Sequence, residues 1–178
     1  VVPVNDAPYL VVPSDLLVTD EDRSLVLPAI DVGDVDSDTL RILVEVAHGN
    51  VSIYEAPNIS FKPSSGGSSA ARVAGDVEAL VEFYGARADV LRALSALVYY
   101  PPANWNSLFK EPDVITISVQ DTDEVEGTDG SHLVSDFVEI VVQPENDPPH
   151  FDVTGAHFLY VYDGVETITA IDTVLVDE

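Results

Sequence analysis

The stretch DVITISVQD, at Asp113–Asp121, alternates in hydrophobicity over its whole length. Ile115, Ile117 and Val119 fall on every second position, with more polar residues between most of them. Because successive side chains of a strand point to opposite faces, this pattern predicts a β-strand with one face in a core.

Similar stretches lie on both sides of this strand. They are rich in β-branched residues, they alternate, and turn residues separate them. In one of them Leu40, Ile42, Val44 and Val46 are expected on a single face. None is spaced as a βαβ unit, so the sequence predicts an all-β, antiparallel sandwich. The further predicted strands are Ser24–Ile30, Leu40–Gly49, Asn50–Tyr54, Val77–Gly85 and Asp136–Pro144.

One stretch departs from this pattern. The sequence ARADVLRALSALVYY, at Ala86–Tyr100, contains four alanines and places leucines at helical spacing. It predicts a short helix at about Ala88–Ala96 that runs into a strand at Leu97–Tyr100. Two prolines follow at once and prevent continuation. By contrast, Lys62–Asp76 is rich in Gly and Ser and is predicted to be a surface loop.

The phrase PVNDAP at Pro3–Pro8 returns as PENDPP at Pro144–Pro149. With the same offset of 141 residues, twelve of the 37 overlapping positions are identical. Repetition at a fixed period is typical of repeat proteins. We therefore expect a piece of a longer tandem array, with residues 1–7 a linker, 8–142 one repeat, 143–148 a second linker and 149–178 the first strands of the next repeat.

The chain is strongly acidic, with 32 Asp and Glu against 7 Lys and Arg and a net charge of -25. Such a surface repels nucleic acids and anionic membranes. The acids form short clusters beside turns, which favours cation binding over general solubility or adaptation to salt. Cysteine is absent, which excludes disulfides and thiolate metal sites, and no apolar run is long enough to cross a bilayer.

The order of these motifs resembles the cadherin-like, Ig-like tandem repeats of large extracellular adhesins and surface fibres. The matching elements are ADVLRALSALVYYPPANWNS, then DVITISVQD, a closing strand VEIVVQP and the phrase ENDPP. The resemblance covers Val1 to Phe151. The loops at Lys62–Asp76 and Asp121–Ser135 make this repeat longer than is usual in that family.

Acidic and amide side chains are expected to gather at both ends of the sandwich, where alternate loops meet. Calcium takes six to eight oxygen ligands, more than one cluster supplies, so converging loops are required. The resemblance implies shared calcium between repeats, with Asp34, Asp36 and Asp38 facing the preceding linker and Asp177 taking the place of Asp36 in the next repeat. The predicted ligands at one end are Asn5, Asp6, Asp34, Asp36, Asp38 and Asp121, and those at the other are Glu21, Asp22, Asn146, Asp147 and Asp177.

Plainer interpretations stand beside this one. Linkers rich in Asn, Asp and Pro also act as turns and rigid spacers, and the later acids of the Asp121–Ser135 loop are expected to be solvated. The four histidines lack metal-ligand spacing. Trp105 either lines a sugar site or closes the end of the core. Two N-glycosylation sequons begin at Asn50 and Asn58.

The expected function is structural: a calcium-stiffened repeat of an extracellular or cell-surface protein. Its expected partners are neighbouring copies, in the same chain and laterally in a fibre, with no nucleic acid and no membrane insertion. No motif of an enzyme stands out. Two alternatives remain, a module that binds a carbohydrate or protein ligand and a spacer in a large secreted enzyme.

Overall fold

The computed structural model describes residues 5–54, 58–61, 77–108, 110–121 and 131–146, together with the backbone of residues 150–151 and 175–176. The chain divides into two compact units, Val1–Pro144 and Glu145–Glu178. This division falls inside the stretch predicted to be a linker. In the second unit, strands β12 (His150–Phe151) and β13 (Leu175–Val176) pair antiparallel.

The first unit is mainly β-structure with one short helix, α1 (Arg87–Ser95). The predicted all-β class is therefore confirmed. Its strands are β1 (Tyr9–Val11), β2 (Leu17–Asp20), β3 (Leu25–Val26), β4 (Asp31–Gly33), β5 (Thr39–Val46), β6 (Asn50–Ile53), β7 (Ser60–Phe61), β8 (Leu80–Ala86), β9 (Leu97–Tyr100), β10 (Asp113–Asp121) and β11 (Leu133–Gln143).

The larger sheet has six strands in the order β2-β11-β10-β5-β8-β7. Its pairings are antiparallel except for one, because β2 runs parallel to the end of β11, with Leu17 opposite Ile140 and Asp20 opposite Gln143. The prediction of a purely antiparallel arrangement is wrong at this edge. Alternation within a strand reports which face is buried but carries no information about a neighbour's direction.

The smaller sheet has the order β3-β9-β6, and β1 pairs separately with β4. Within the predicted strand Ser24–Ile30, only Leu25–Val26 forms a strand, which is β3. Residues 27–30 connect it to β4. Asp31–Gly33, which lies outside the predicted strands, forms β4 and pairs with β1. The short strands β1 and β2 were not predicted, since each has only three or four residues.

A single hydrophobic cluster joins the two sheets and the helix. Leu40, Ile42, Val44 and Val46 all face it, as their spacing predicted. The larger sheet also contributes Phe83 and the alternate residues of β10 and β11, and the smaller sheet contributes Val51, Ile53, Leu97 and Tyr99. Since each sheet has one apolar face, this shared core is what holds the two together.

Helix α1 covers one end of this cluster and lies within a residue of its predicted bounds. Its apolar residues Val90, Ala93 and Leu94 are buried, and three- or four-residue spacing places them on one face. Asp89 lies in the first turn and Arg92 in the last, so both charges interact favourably with the helix dipole. The helix then passes directly into β9.

Asp113, the first residue of β10, is completely buried. Its carboxylate accepts hydrogen bonds from the backbone N–H groups of His48 (3.0 Å), Gly49 (2.8 Å) and Val114 (2.9 Å), and from the Tyr99 hydroxyl (2.7 Å). A Cβ on Gly49 would lie 2.6 Å from the carbonyl oxygen of Tyr100, so the turn requires glycine. The buried acid thus ties the β5–β6 turn to β9 and β10.

Tyr99 provides a test of this network at alkaline pH. Its pKa is raised well above the ordinary 10.0, first by burial and then by its hydrogen bond to Asp113. The folded chain therefore holds this proton more tightly than the unfolded chain, so its contribution is complete below pH 10 and is lost as pH rises above 10. Tyr99→Phe should flatten the fall in the free energy of unfolding above this pH by up to about 1.4 kcal/mol per pH unit.

Urea unfolding at a series of alkaline pH values measures this slope. Tyr84→Phe is the matched control, because Tyr84 is exposed on β8. An equal slope in wild type and Tyr99→Phe would contradict the buried, carboxylate-bonded hydroxyl.

Candidate functional site

Three segments with predicted calcium ligands meet at one end of the first unit. Nδ2 of Asn5 donates to Oδ2 of Asp121 at 2.8 Å, and the backbone N–H of Asp6 donates to Oδ2 of Asp36 at 2.9 Å. The predicted convergence of the segment before β1, the loop after β4 and the end of β10 is therefore present for these four residues.

Strand pairing explains the convergence. Tyr9, which begins β1, lies opposite Gly33, which ends β4. The residues before β1 and after β4 must consequently emerge at the same end. Asp121 ends β10 opposite Leu40, near the start of β5, so the 34–38 loop also lies next to it. Antiparallel register alone brings the three acidic segments together.

The 34–38 loop is shaped by its own carboxylate. Oδ1 of Asp34 accepts the backbone N–H groups of Asp36 at 2.7 Å and Ser37 at 2.8 Å, which is the hydrogen bonding of an Asx turn. Oδ2 of Asp34 and Oγ of Ser37 are buried, and neither has a hydrogen-bond partner among the described residues. A buried carboxylate oxygen without a donor is costly and suits a cation.

Asp121 is almost wholly buried, with 1% of its surface exposed. Both of its carboxylate oxygens lie 3.0 Å from the backbone N–H of His132. Nδ1 of His132 lies 3.5 Å from Oδ2 of Asp121 and 3.2 Å from Nδ2 of Asn5. Metal-ligand spacing in the sequence does not identify His132, because its contacts are made across a hairpin and with a distant segment.

Asp38 takes no visible part in this cluster. It is exposed, and its backbone carbonyl accepts the N–H of Arg87 at 3.0 Å. The later acids of the Asp121–Ser135 loop, expected to be solvated, lie outside the described residues. The alternating Asp34, Asp36 and Asp38 pattern therefore brings its first two members, not its third, into contacts with the converging segments and the turn.

At the opposite predicted end, Glu21 and Asp22 form the turn after β2. Glu21 is buried, and its Oε2 accepts Nδ2 of Asn106 at 3.1 Å. Oδ1 of Asp22 accepts the backbone N–H of Asn104 at 3.3 Å, and Asp22 has a φ of 60°. The segment after Pro101-Pro102 thus holds the first turn, and Asn106 is a contact of Glu21 that the sequence analysis missed.

Three further ligands were predicted for this end. Asn146 is exposed and belongs to the second unit, while Asp147 and Asp177 lie outside the described residues. Their sharing of a cation with Glu21 and Asp22 stays a prediction.

Within the described ranges, no three histidine, aspartate or glutamate side chains are close enough together to form a metal centre. The contacts at this end instead join residues in pairs, Asn5 with Asp121 and Asp6 with Asp36. A cation there would depend on amide and backbone oxygens as well as on carboxylates.

Trp105 packs against the edge of the core and stacks on His48, with ring centroids 5.0 Å apart. The Lys110 ammonium lies 5.4 Å from the centre of its ring. These contacts favour the role of closing the end of the core over that of a sugar-binding platform. Of the two sequon residues, Asn58 is exposed and Asn50 is half-buried at the start of β6.

No helix in the described part of the chain is long and apolar enough to cross a membrane. Comparison with models of protein families, with curated proteins and with solved structures finds no match.

Proposed function

We propose that the chain is a structural, Ig-like repeat of a tandem array in an extracellular adhesin or surface fibre, stiffened by calcium where repeats join. The observation that carries this proposal is the attachment of Asn5 and Asp6, which precede the first strand, to Asp121 and Asp36. These contacts tie a linker segment to two parts of the domain, as a stiff junction between repeats requires.

The strand arrangement supports an Ig-like sandwich. Two sheets share one core, the central strands β5, β10 and β11 are consecutive neighbours in the larger sheet, and β2 adds in parallel at its edge. Strands β1 and β2 belong to different sheets, since β1 pairs with β4 and β2 with β11. Such crossing between sheets is common in Greek-key sandwiches.

A tandem array is supported by the repeated PxNDxP phrase and by the aligned AID motif at residues 29–31 and 170–172. The charge of -25 fits a surface exposed to millimolar cations and is unsuited to nucleic acid. Neighbouring copies in the same chain are the proposed partners, with lateral copies in a fibre. A catalytic role is not part of this proposal.

The residue types at the junction support calcium. Side-chain oxygens of Asn5, Asp34, Asp36 and Asp121 would hold the ion, since carboxylates and amides are the ligands that calcium prefers. The buried Oδ2 of Asp34, for which the described residues supply no donor, supports a cation at this junction. A bound calcium supplies positive charge that offsets the repulsion among these acids.

Calcium titration of the whole chain tests the proposal. Millimolar calcium should raise the melting temperature and give a saturable heat in calorimetry, because extracellular modules bind in the range of about 10⁻⁴–10⁻³ M. Sodium at equal ionic strength is the control for screening, which acts weakly on all exposed charges. No heat and no thermal shift would make these acids a solvated surface and remove calcium from the proposal.

A further inference from the structure

An exposed aromatic side chain separates two hollows on the larger sheet. Phe137 of β11 keeps 55% of its surface exposed. On one side lies a groove of about 360 Å³, which we call the acidic groove, lined by Val12, Pro13, Ser14, Asp15, Leu16, Asp136, Phe137 and Glu139. On the other lies a sheet hollow of about 350 Å³, lined by Val114, Thr116, Ser135, Asp136 and Phe137.

Strand geometry explains both hollows. On the side of β11 away from β10, β2 pairs with residues 140–143, and no described strand pairs with residues 133–139 there. The chain between β1 and β2 passes this region with Val12–Leu16 and leaves the groove open. Phe137 lies opposite Thr116, and Glu139 opposite Val114, so small side chains of β10 form the floor of the sheet hollow.

The two hollows differ in chemistry. Asp15, Asp136 and Glu139 are all exposed around the acidic groove, and none of the described residues that line it is basic. Oδ1 of Asp136 accepts the N–H of Phe137 at 2.9 Å, so one carboxylate oxygen is held in place. The sheet hollow carries a single acid and is bounded by Val114, Thr116 and the ring of Phe137.

A second copy of this chain is a poor occupant for such a surface. All five basic side chains in the described part already contact a partner in the same chain, namely Arg23, Arg41, Arg87, Arg92 and Lys110. With a net charge of -25, two copies would bring like charges together here, which disfavours association.

We infer that this surface binds an extended, basic and apolar segment of a different protein. The acidic groove takes a lysine or arginine side chain, the sheet hollow takes an aliphatic one, and Phe137 lies between them. The cationic side chain gains both the carboxylates and the aromatic ring. The inference concerns a face apart from the calcium junction and does not depend on it.

Three short synthetic peptides test the site on the whole chain, with a chelator present to remove divalent cations. One alternates lysine with valine, the second replaces lysine by glutamate, and the third replaces valine by serine. Fluorescence anisotropy at physiological salt should show the lysine–valine peptide binding at least roughly tenfold more tightly than either relative, since charge complementarity and apolar burial both contribute.

The double variant Phe137→Ala with Glu139→Gln should weaken this peptide at least roughly tenfold. Tyr84→Ala with Glu45→Gln is the matched control, because it removes an exposed aromatic and an exposed acid from other strands of the same sheet, and it should bind as wild type does. Melting curves of both variants verify folding.

Equal binding of the lysine and glutamate peptides would overturn the inference, as would equal binding by the two double variants. Tight binding of the lysine–serine peptide would overturn the role of the sheet hollow. Self-association of the wild-type chain that is lost with Phe137→Ala would assign the face to a second copy instead.

Discussion

Replacing Asp113 by alanine should lower the free energy of unfolding by about 3 kcal/mol or more, the largest effect expected of any single exposed or buried acid in the described part of the chain. The carboxylate is fully buried and satisfies three backbone N–H groups and one hydroxyl. Each buried donor left without an acceptor costs about 1–3 kcal/mol. Partial relaxation and water entry keep the total below the sum.

In a domain of this size, such a loss corresponds to a fall in melting temperature of about 6–12 °C. Urea unfolding followed by circular dichroism measures it directly. Glu139→Ala is the control, since Glu139 is an exposed acid on the neighbouring β11, and surface substitutions of this kind stay within about 0.5 kcal/mol. A loss below 1 kcal/mol for Asp113→Ala would mean that the turn finds other acceptors.

Tyr99→Phe separates the parts of this network. It removes one hydrogen bond to the carboxylate and leaves the three backbone donors in place. Its cost should be about 1.5–3 kcal/mol, the range for hydrogen bonds to charged groups. Asp113→Ala should therefore cost more than Tyr99→Phe. If Tyr99→Phe cost more, the backbone N–H groups would have to find other acceptors when the Asp113 carboxylate is absent.

Asp113 also shows where sequence reasoning reached its limit. The alternation of Asp113–Asp121 predicted the strand and its buried face, and β10 has those bounds. The same alternation places Asp113 and Asp121 on the core face with Ile115 and Ile117, and both acids are indeed buried. Nothing in the pattern identified their donors, because these come from a turn, a hairpin and a segment more than a hundred residues away.

Long, strongly periodic elements were predicted well, and short ones were not. The helix of nine residues lies within one residue of its prediction, and the core face of β5 is as its spacing required. The strands β1, β2 and β4 have three or four residues each, too few to show a period. Their pairing is set by contacts with distant strands, and the parallel addition of β2 to β11 follows from the same contacts.

For the candidate site, chain order predicted which loops meet but not which atoms touch. Asn5, Asp6, Asp36 and Asp121 do meet, since the ends of antiparallel strands are fixed by their register. Asp38 was predicted to be a calcium ligand because it continues the alternating pattern of Asp34 and Asp36. However, Asp34 turns the loop through its own hydrogen bonds to Asp36 and Ser37, so the loop does not present alternate residues as an extended strand would.

The double change Asp34→Asn with Asp36→Asn should remove most of the stabilisation by calcium. At a calcium concentration a hundred times the dissociation constant, a single site contributes about 2.7 kcal/mol, or about 5–10 °C in melting temperature for a domain of this size. The variant loses two carboxylate charges, so its calcium-dependent shift should fall to less than half of that value. Differential scanning calorimetry with and without calcium measures both shifts.

The same double variant separates a loss of calcium binding from a loss of folding stability. Asparagine keeps an Oδ1 atom that accepts the N–H groups of Asp36 and Ser37, as Asp34 does now, and an amide oxygen at position 36 still accepts the N–H of Asp6. The turn and the linker contact are therefore retained. Without calcium the variant should be as stable as wild type or slightly more stable, because repulsion between acids at this end is reduced.

Glu45→Gln with Glu139→Gln removes the same number of charges from exposed positions on the larger sheet. If calcium acts by coordination at the junction, this control keeps the full calcium shift while the Asp34 and Asp36 variant loses it. If calcium acts only by neutralising the net charge of -25, both pairs should lose the same small amount, since screening does not distinguish among exposed carboxylates. The difference between the two calcium shifts is therefore the quantity that decides whether Asn5, Asp34, Asp36 and Asp121 form a binding site or a solvated acidic surface.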